Sequence, residues 1–294
     1  MHLHCNMIKT AIKYLKRFRA MQRINLSLAR GAATSSLRNI DPLNPDTWDF
    51  CAFSQNCEDG IIDYLASRIN NPNRYFVEIG SSDGIENNTA WLAIAKKYSG
   101  IMIEGDKKQS LFSKELMESL NLSVECINMF FTKDNIAELT KILLYNNPDV
   151  LSLDIDGNDY YIAKAIIEIG LRPKIFVVEY NSVYGPDNSS TIIYREDFNV
   201  VKAHKTQLYY GISITGWKNF FKYHDYKFIT VDKNGVNAFF VDKKVFDADF
   251  LEKLKGLEFQ ENYYQMTKFK VPWMKQFELI REMTFFEIKA DSKD

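Results

Sequence analysis

Between residues 74 and 242 the chain alternates short apolar runs with longer segments in which apolar side chains recur at helical spacing. Runs at 75–79, 100–104, 122–127, 150–154, 175–179, 226–231 and 236–241 read as strands. Between the first five lie helical patterns over 86–97, 107–119, 134–145 and 159–169. Strands that are apolar throughout, each followed by a helix, predict a parallel sheet covered on both faces. The last two runs are separated only by Asp232-Lys233-Asn234-Gly235, and Asn-Gly is a strong signal for a tight turn, so these two form an antiparallel hairpin. The expected fold is α/β, a seven-stranded, mostly parallel sheet with one antiparallel strand.

Outside this region the pattern changes. A helical period begins near Asp59 with Ile61, Ile62, Tyr64, Leu65 and Ile69, after a polar connector containing Pro42 and Pro45. Upstream, Ile8, Ala11, Ile12, Leu15 and Phe18 recur on one helical face while Lys9, Lys13, Lys16 and Arg17 point away. The chain divides into a basic amphipathic helix region (1–40), a lead-in (41–73), the sheet domain (74–242) and a partly helical C-terminal extension (243–294).

Charge sharpens the picture of the first segment. The 294 residues carry 37 Lys and Arg against 38 Asp and Glu, a balance that argues against a nucleic-acid partner. Residues 1–40 hold eight basic residues and no acid, leaving 29 basic against 38 acidic residues in the remainder. Two readings follow for the basic helix: peripheral contact with an anionic membrane, or packing on the body of the protein or on a second subunit of a homo-oligomer. An organellar transit peptide is also Arg-rich and acid-poor, but the lysine bias speaks against it, and no secretory-type apolar core follows the charges. No apolar run reaches the roughly 18 residues of a spanning helix. Cys5, Cys51, Cys57 and Cys126 include no CxxC pair, so neither a disulfide framework nor a zinc site is expected, and a reducing, cytoplasmic setting fits.

Open α/β sheets bind ligands beyond the carboxyl ends of their strands. The first strand runs into Glu78-Ile79-Gly80-Ser81-Ser82-Asp83-Gly84, then Glu86-Asn87-Asn88-Thr89. This loop lacks both the G-x-G-x-x-G of dinucleotide sites and the G-K-[ST] of a P-loop. It offers carboxylates, which repel phosphate and suit an ammonium or sulfonium group. The second strand ends in Glu104-Gly105-Asp106, where an acid holds a ribose diol in related sheets. A cationic, phosphate-free nucleoside is S-adenosylmethionine. The structural alternative is a turn that merely happens to be acidic.

The fourth strand ends in Asp154-Ile155-Asp156-Gly157-Asn158-Asp159 and the fifth in Glu179-Tyr180-Asn181. Asp154, Glu179 and Asn181 form a candidate site for Mg²⁺ or another divalent cation. Alternatively Asp154 or Asp156 takes a proton directly as general base. Asp159 fits a helix-capping role. His204, in Lys202-Ala203-His204-Lys205, is a further candidate base on a loop able to close over an acceptor. Tyr209-Tyr210-Gly211 offers aromatic faces for a sugar ring, and Tyr180, Tyr184 and Trp217 carry the same two readings, stacking platform or core.

Taken together, Ser54-Gln55…Glu58-Asp59-Gly60, Phe76-Val77-Glu78-Ile79-Gly80…Asp83-Gly84…Asn88-Thr89, Ile103-Glu104-Gly105-Asp106, Asp154-Ile155-Asp156-Gly157-Asn158-Asp159, Val178-Glu179-Tyr180-Asn181 and Gly235-Val236-Asn237-Ala238-Phe239-Phe240-Val241 resemble the FkbM-type methyltransferases, in particular the branch found among bacterial surface-polysaccharide genes. The resemblance covers roughly residues 54–242. It implies a Rossmann-like fold and S-adenosylmethionine-dependent O-methylation of a sugar or glycan. By position it implies Glu78, Gly80, Asp83 and Glu104 as cofactor contacts; Ser82, Asn88 and Asp106, in the same loops, are further candidates. The chain departs from the pattern at Cys57, where relatives carry Gly, which puts the local backbone in question. Two other classes stay open: a glycosyltransferase using Asp154-Ile155-Asp156 as a DxD triplet for a nucleotide-sugar, and a catalytically idle binding module of the same fold.

Overall fold

Strand side chains alternating between two apolar layers set the architecture. In the first strand Phe76 joins one layer, while Tyr75, Val77 and Ile79 join the other. The computed structural model describes residues 2–290, with side chains placed for 11, 12 and 14–290. In chain order α1 (His2–Ser36) and α2 (Glu58–Ser67) precede β1 (Tyr75–Ile79), α3 (Ala90–Ile94), β2 (Ser99–Glu104), α4 (Lys107–Leu120) and β3 (Val124–Asn128). The second half contains α5 (Leu139–Ile142), β4 (Val150–Leu153), α6 (Asp159–Glu168) and β5 (Ile175–Glu179). Next come β6 (Ser190–Ile192), α7 (Val200–Ala203), α8 (Ile214–Tyr223), β7 (Tyr226–Val231) and β8 (Asn237–Asp242). The C-terminal extension adds α9 (Ala248–Lys253), α10 (Tyr263–Phe269), α11 (Trp273–Phe277) and β9 (Phe285–Glu287), which pairs with β6.

The main sheet has the order β3-β2-β1-β4-β5-β8-β7. All pairs from β3 to β5 are parallel, and β8 runs antiparallel to both β5 and β7. The seven-stranded sheet with its terminal hairpin is therefore present as the pattern required. The hairpin is locked by Asp232, whose carboxylate accepts from the N–H groups of Asn234, Val236 and Asn237. The chain winds outward from β1 to β3, then restarts beside β1 with β4. That reversal opens a crevice at the carboxyl ends of β1 and β4.

Two predicted helices come out shorter. The segment expected over 86–97 is helical only in α3, because the Asn87 amide donates to the Ser81 carbonyl while its Oδ1 accepts from the Thr89 N–H, holding a turn in place of the first helical turn. The segment over 134–145 breaks into a 3₁₀ turn at Ile136–Glu138 and the single turn of α5.

The basic N-terminal helix divides along its length. Its second half packs on the body: Ala20 and Ile24 are buried, and a Cβ at Gly31 would stand 2.7 Å from that of Ala52. In its first half Ile12, Leu15 and Phe18 are exposed; the side chains of Ile8, Lys9 and Lys13 lie outside the described residues. No described helix is long and apolar enough to cross a membrane.

The expectation of unpaired cysteines is corrected at one place, since Cys51 and Cys57 form a disulfide. The loop between them is wound around buried Asp59, whose Oδ2 accepts from the N–H groups of Ala52, Phe53 and Ser54 and from the Ser54 hydroxyl. This folding, invisible in the spacing, brings the two Cα atoms within 4.1 Å. Cys57 also has φ of 68°, the left-handed region that favours glycine, which accounts for the glycine expected there.

Candidate active site

The crevice at the switch point is a cleft of about 690 Å³. Its floor is the close approach of β1 and β4. Gly80 has φ of +89°, and a Cβ there would lie 1.7 Å from the Asp154 carbonyl oxygen, so no other residue fits. The loop that follows satisfies its own backbone. The N–H groups of Gly80 and Ser81 donate to the Ile103 carbonyl, and that of Gly84 to the Ser81 carbonyl. The Ser82 N–H donates to Glu104 Oε2, and those of Ile85 and Glu86 donate to Asp83 Oδ1.

Glu104, at the end of β2, is fixed over the cleft by the N–H groups of Ser82 and Asp106 at 2.8 and 2.7 Å. Each of its oxygens accepts one such bond, which leaves acceptor capacity for a diol. Asp106 caps α4, accepting from the N–H groups of Lys108 and Gln109, and lines the same cleft. Ser82 donates through its hydroxyl to Gln109 Oε1. Glu78 and Asn88, by contrast, lie behind the loop and line a separate cavity of about 80 Å³ together with Gly80 and Asp154. Asn88 donates to Ser152 Oγ there. Burial pushes the Glu78 carboxyl up to about 7, and its Oε2 has no partner.

At the ends of β4 and β5, carboxylate oxygens of Asp154, Asp156 and Glu179 lie within 4.8 Å of one another. Burial and then the neighbouring negative charges hold Asp154 and Glu179 well above the ordinary carboxylate range. Three such groups this close share protons or hold a cation, because they cannot all stay ionised without a counter-charge. The backbone supports the cluster: Asp156 has φ of 55°, and Asp159 accepts from the N–H groups of Ile155 and Gly157. Asp159 therefore holds the acidic turn, as a structural residue.

Asn181 lies apart from this cluster, which corrects its place in the expected ligand set. Its amide donates to the carbonyls of Leu208 and Tyr210, and its Oδ1 accepts from the Val183 N–H. Asp156 takes the third position. His204 is also displaced from the site: its Nδ1 lies 2.7 Å from Thr206 Oγ1, and it lines neither the cleft nor the cavity beside it. Tyr180, Tyr184 and Trp217 are buried in the core, with Trp217 Nε1 donating to the Glu179 carbonyl. Burial also keeps the Tyr210 hydroxyl protonated, well above its ordinary range, with Glu179 the nearest charge adding to the shift.

A second cavity, of about 440 Å³, meets the first at Asp156 and Glu179. Sequence reasoning missed one of its walls, which comes from α10 in the C-terminal extension and includes Tyr263, Tyr264, Gln265 and Lys268. Gln265 Nε2 donates to the Tyr210 hydroxyl, while its buried Oε1 has no partner. Arg23 of α1 was missed as well. It lines the first cleft, with Nη1 2.5 Å from Asp83 Oδ2 and Nη2 3.1 Å from Glu86 Oε2. Neither segment carries a motif, and only tertiary packing brings it to the strand tips.

The donor chemistry of the first cleft suits the group that the fold implies. Seven carboxylates line it and Arg23 is the sole lysine or arginine among its lining residues. Such a surface disfavours a diphosphate and favours a net-positive ligand.

No protein-family model matches the chain, and no curated relative matches it. Solved structures resemble it distantly, at low identity. An O-methyltransferase from Bacillus cereus in complex with S-adenosyl-homocysteine is 15% identical, with a TM-score of 0.42 over 74% of this chain and 89% of that one. The S-adenosyl-homocysteine-bound Podospora anserina methyltransferase PaMTH1 is 16% identical, with a TM-score of 0.40 over 58% and 72%. The METTL16 methyltransferase domain is 15% identical with a TM-score of 0.33, and the chain spans about half of it, 49%, through 41% of its own length. The α/β fold of the chain rests on its own strand order, β3-β2-β1-β4-β5-β8-β7, with β8 antiparallel to both of its neighbours.

Proposed function

We propose that the chain is an S-adenosylmethionine-dependent O-methyltransferase of the FkbM type, acting on a hydroxyl of a sugar or glycan. One observation carries the reading: an acidic, phosphate-averse cleft meets a second, aromatic and amide-lined cavity at the carboxylates Asp156 and Glu179, with Asp154 beside them. When bound, the sulfonium donor supplies an electrophilic methyl group. The chain's own task is to align the acceptor oxygen and to remove its proton.

Glu104 holds the ribose, and Asp83 faces the cationic tail. Asp154 and Glu179, raised by burial and by each other, accept the hydroxyl proton at the junction of the two cavities. A divalent cation held by Asp154, Asp156 and Glu179 is the alternative way to acidify that hydroxyl. On the acceptor side Gln265 Oε1 offers an unfilled acceptor for a sugar hydroxyl, and Tyr263 and Tyr264 offer exposed ring faces. The exposed Ile12, Leu15 and Phe18 beside Lys16 and Arg17 support peripheral contact with an anionic membrane, where a lipid-linked glycan would be presented.

The test is transfer of a labelled methyl group from S-adenosylmethionine to glycan fractions, with wild type and Asp154→Asn. Methylation by wild type and its loss in the variant are expected. Transfer of sugar from a nucleotide-sugar, with no methyl transfer, would establish the DxD glycosyltransferase instead. Turnover that survives exhaustive chelation leaves the direct base; turnover abolished by chelator and restored by Mg²⁺ assigns the cation.

A further inference from the structure

The methyl donor carries one group that the acidic cleft does not welcome, the carboxylate of its methionyl tail. Anions at strand-to-helix loops are ordinarily met by free backbone N–H groups. Here that route is narrowed to one group, because the N–H groups of Gly80, Ser81, Ser82, Gly84, Ile85 and Glu86 are spent on acceptors within the protein, which leaves only that of Asp83 over residues 80–86. Gln109 offers only a neutral amide, and its Oε1 already accepts from Ser82.

We propose that Arg23, from the N-terminal helix, binds the carboxylate of the donor's methionyl tail; the inference rests on the methyltransferase reading above. Among the described residues Arg23 is the one cation lining the cleft. Its helix face is fixed by the buried neighbours Ala20 and Ile24, so the guanidinium is delivered to the loop by packing and not by chance. Its side chain is 45% exposed and bridges Asp83 and Glu86 at the rim, so it is ordered by the loop and still open toward solvent and ligand. A guanidinium has five donors in a planar fork and accommodates a carboxylate alongside those two partners. Arg23 with Asp83 thus presents a cation and an anion side by side, complementary to an α-amino acid zwitterion. The pairing makes α1 a wall of the cofactor site and gives the cleft a preference for the intact amino-acid tail.

Calorimetric titration of the full chain with S-adenosylmethionine and with decarboxylated S-adenosylmethionine, for wild type and Arg23→Ala, tests this. The second ligand keeps both positive charges and lacks only the carboxylate. Loss of one charge-assisted contact predicts a fall in affinity for S-adenosylmethionine on the order of tenfold or more. Affinity for the decarboxylated ligand is expected to hold or to rise, because Asp83 and Glu86 are released. Equal weakening toward both ligands, or no weakening toward either, overturns the role of Arg23 while leaving the methyltransferase reading intact. A wild-type chain that binds neither ligand overturns both.

Discussion

The strand tips of the sheet and the two segments that flank it in sequence divide the work differently. The tips carry the acids in compact runs, Gly80 to Asp83, Glu104 to Asp106 and Asp154 to Asp159, held by backbone bonds within each run or to the end of the adjacent strand. The flanks carry single side chains, Arg23 from α1 and Tyr263, Tyr264, Gln265 and Lys268 from α10, delivered over long sequence distances by packing. On the proposed function, the reactive chemistry belongs to the strand tips and selectivity to the flanking elements. The difference predicts that changes at the tips abolish turnover, whereas changes at the flanks shift what is bound.

The largest effect belongs to the tips. Asp154→Asn is expected to lower kcat by about 10²–10⁴-fold, the range for loss of a positioned base, while leaving the affinity for S-adenosyl-homocysteine within a few-fold. Rapid-quench or steady-state methyl transfer, set beside calorimetry, separates these, and a variant with normal turnover breaks the assignment. Next comes Glu104→Ala, which removes the diol acceptor. It should weaken nucleoside binding by at least about tenfold, including binding of methylthioadenosine, which has no amino-acid tail. A loss confined to ligands that carry the tail would contradict the ribose role.

A smaller effect is expected at the acceptor flank. Gln265→Leu should raise KM for the acceptor several-fold and leave the affinity for the donor unchanged, because one neutral hydrogen bond contributes about 0.5–1.5 kcal/mol. A rise in donor Kd instead would show that α10 supports the sheet and not the acceptor.

The smallest effect concerns stability and pH. Burial raises Glu78 and Asp232 to about 7, and Asp59 and Asp159 to about 6, so the folded chain binds more protons than the unfolded one above the ordinary carboxylate range. Stability therefore falls as pH rises through the interval up to about 7. Thermal unfolding followed at several pH values should show Tm declining over that window, and Glu78→Gln should flatten the decline. A Tm that climbs through it would contradict the burial argument.

Much of this was legible along the chain, and the exceptions have a common cause. The limits of β1 and β5 and the antiparallel hairpin follow from apolar runs and an Asn-Gly turn, which are local signals. That Gly80, Asp83, Glu104, Asp154 and Glu179 come together at one cleft was legible because each lies at or just beyond the end of a strand. Asn181 misled, since its position after Glu179 suggests a ligand while its amide is drawn to the Leu208 and Tyr210 carbonyls of a distant loop. The same holds for the Cys51–Cys57 bond, which depends on the loop wound about Asp59, and for Arg23, whose partner Asp83 lies 60 residues away. Periodicity reports which face of an element is buried. It carries no information about which far segment a polar group on the other face will meet.

Competitive calorimetry of the purified chain with S-adenosyl-homocysteine, and separately with UDP- and GDP-sugars, bears most directly on the claim that the cleft at β1 and β4 accepts a phosphate-free nucleoside. The account predicts saturable binding of S-adenosyl-homocysteine that Glu104→Ala weakens, and no heat from the nucleotide-sugars. Tight binding of a nucleotide-sugar, with S-adenosyl-homocysteine unable to displace it, would contradict it.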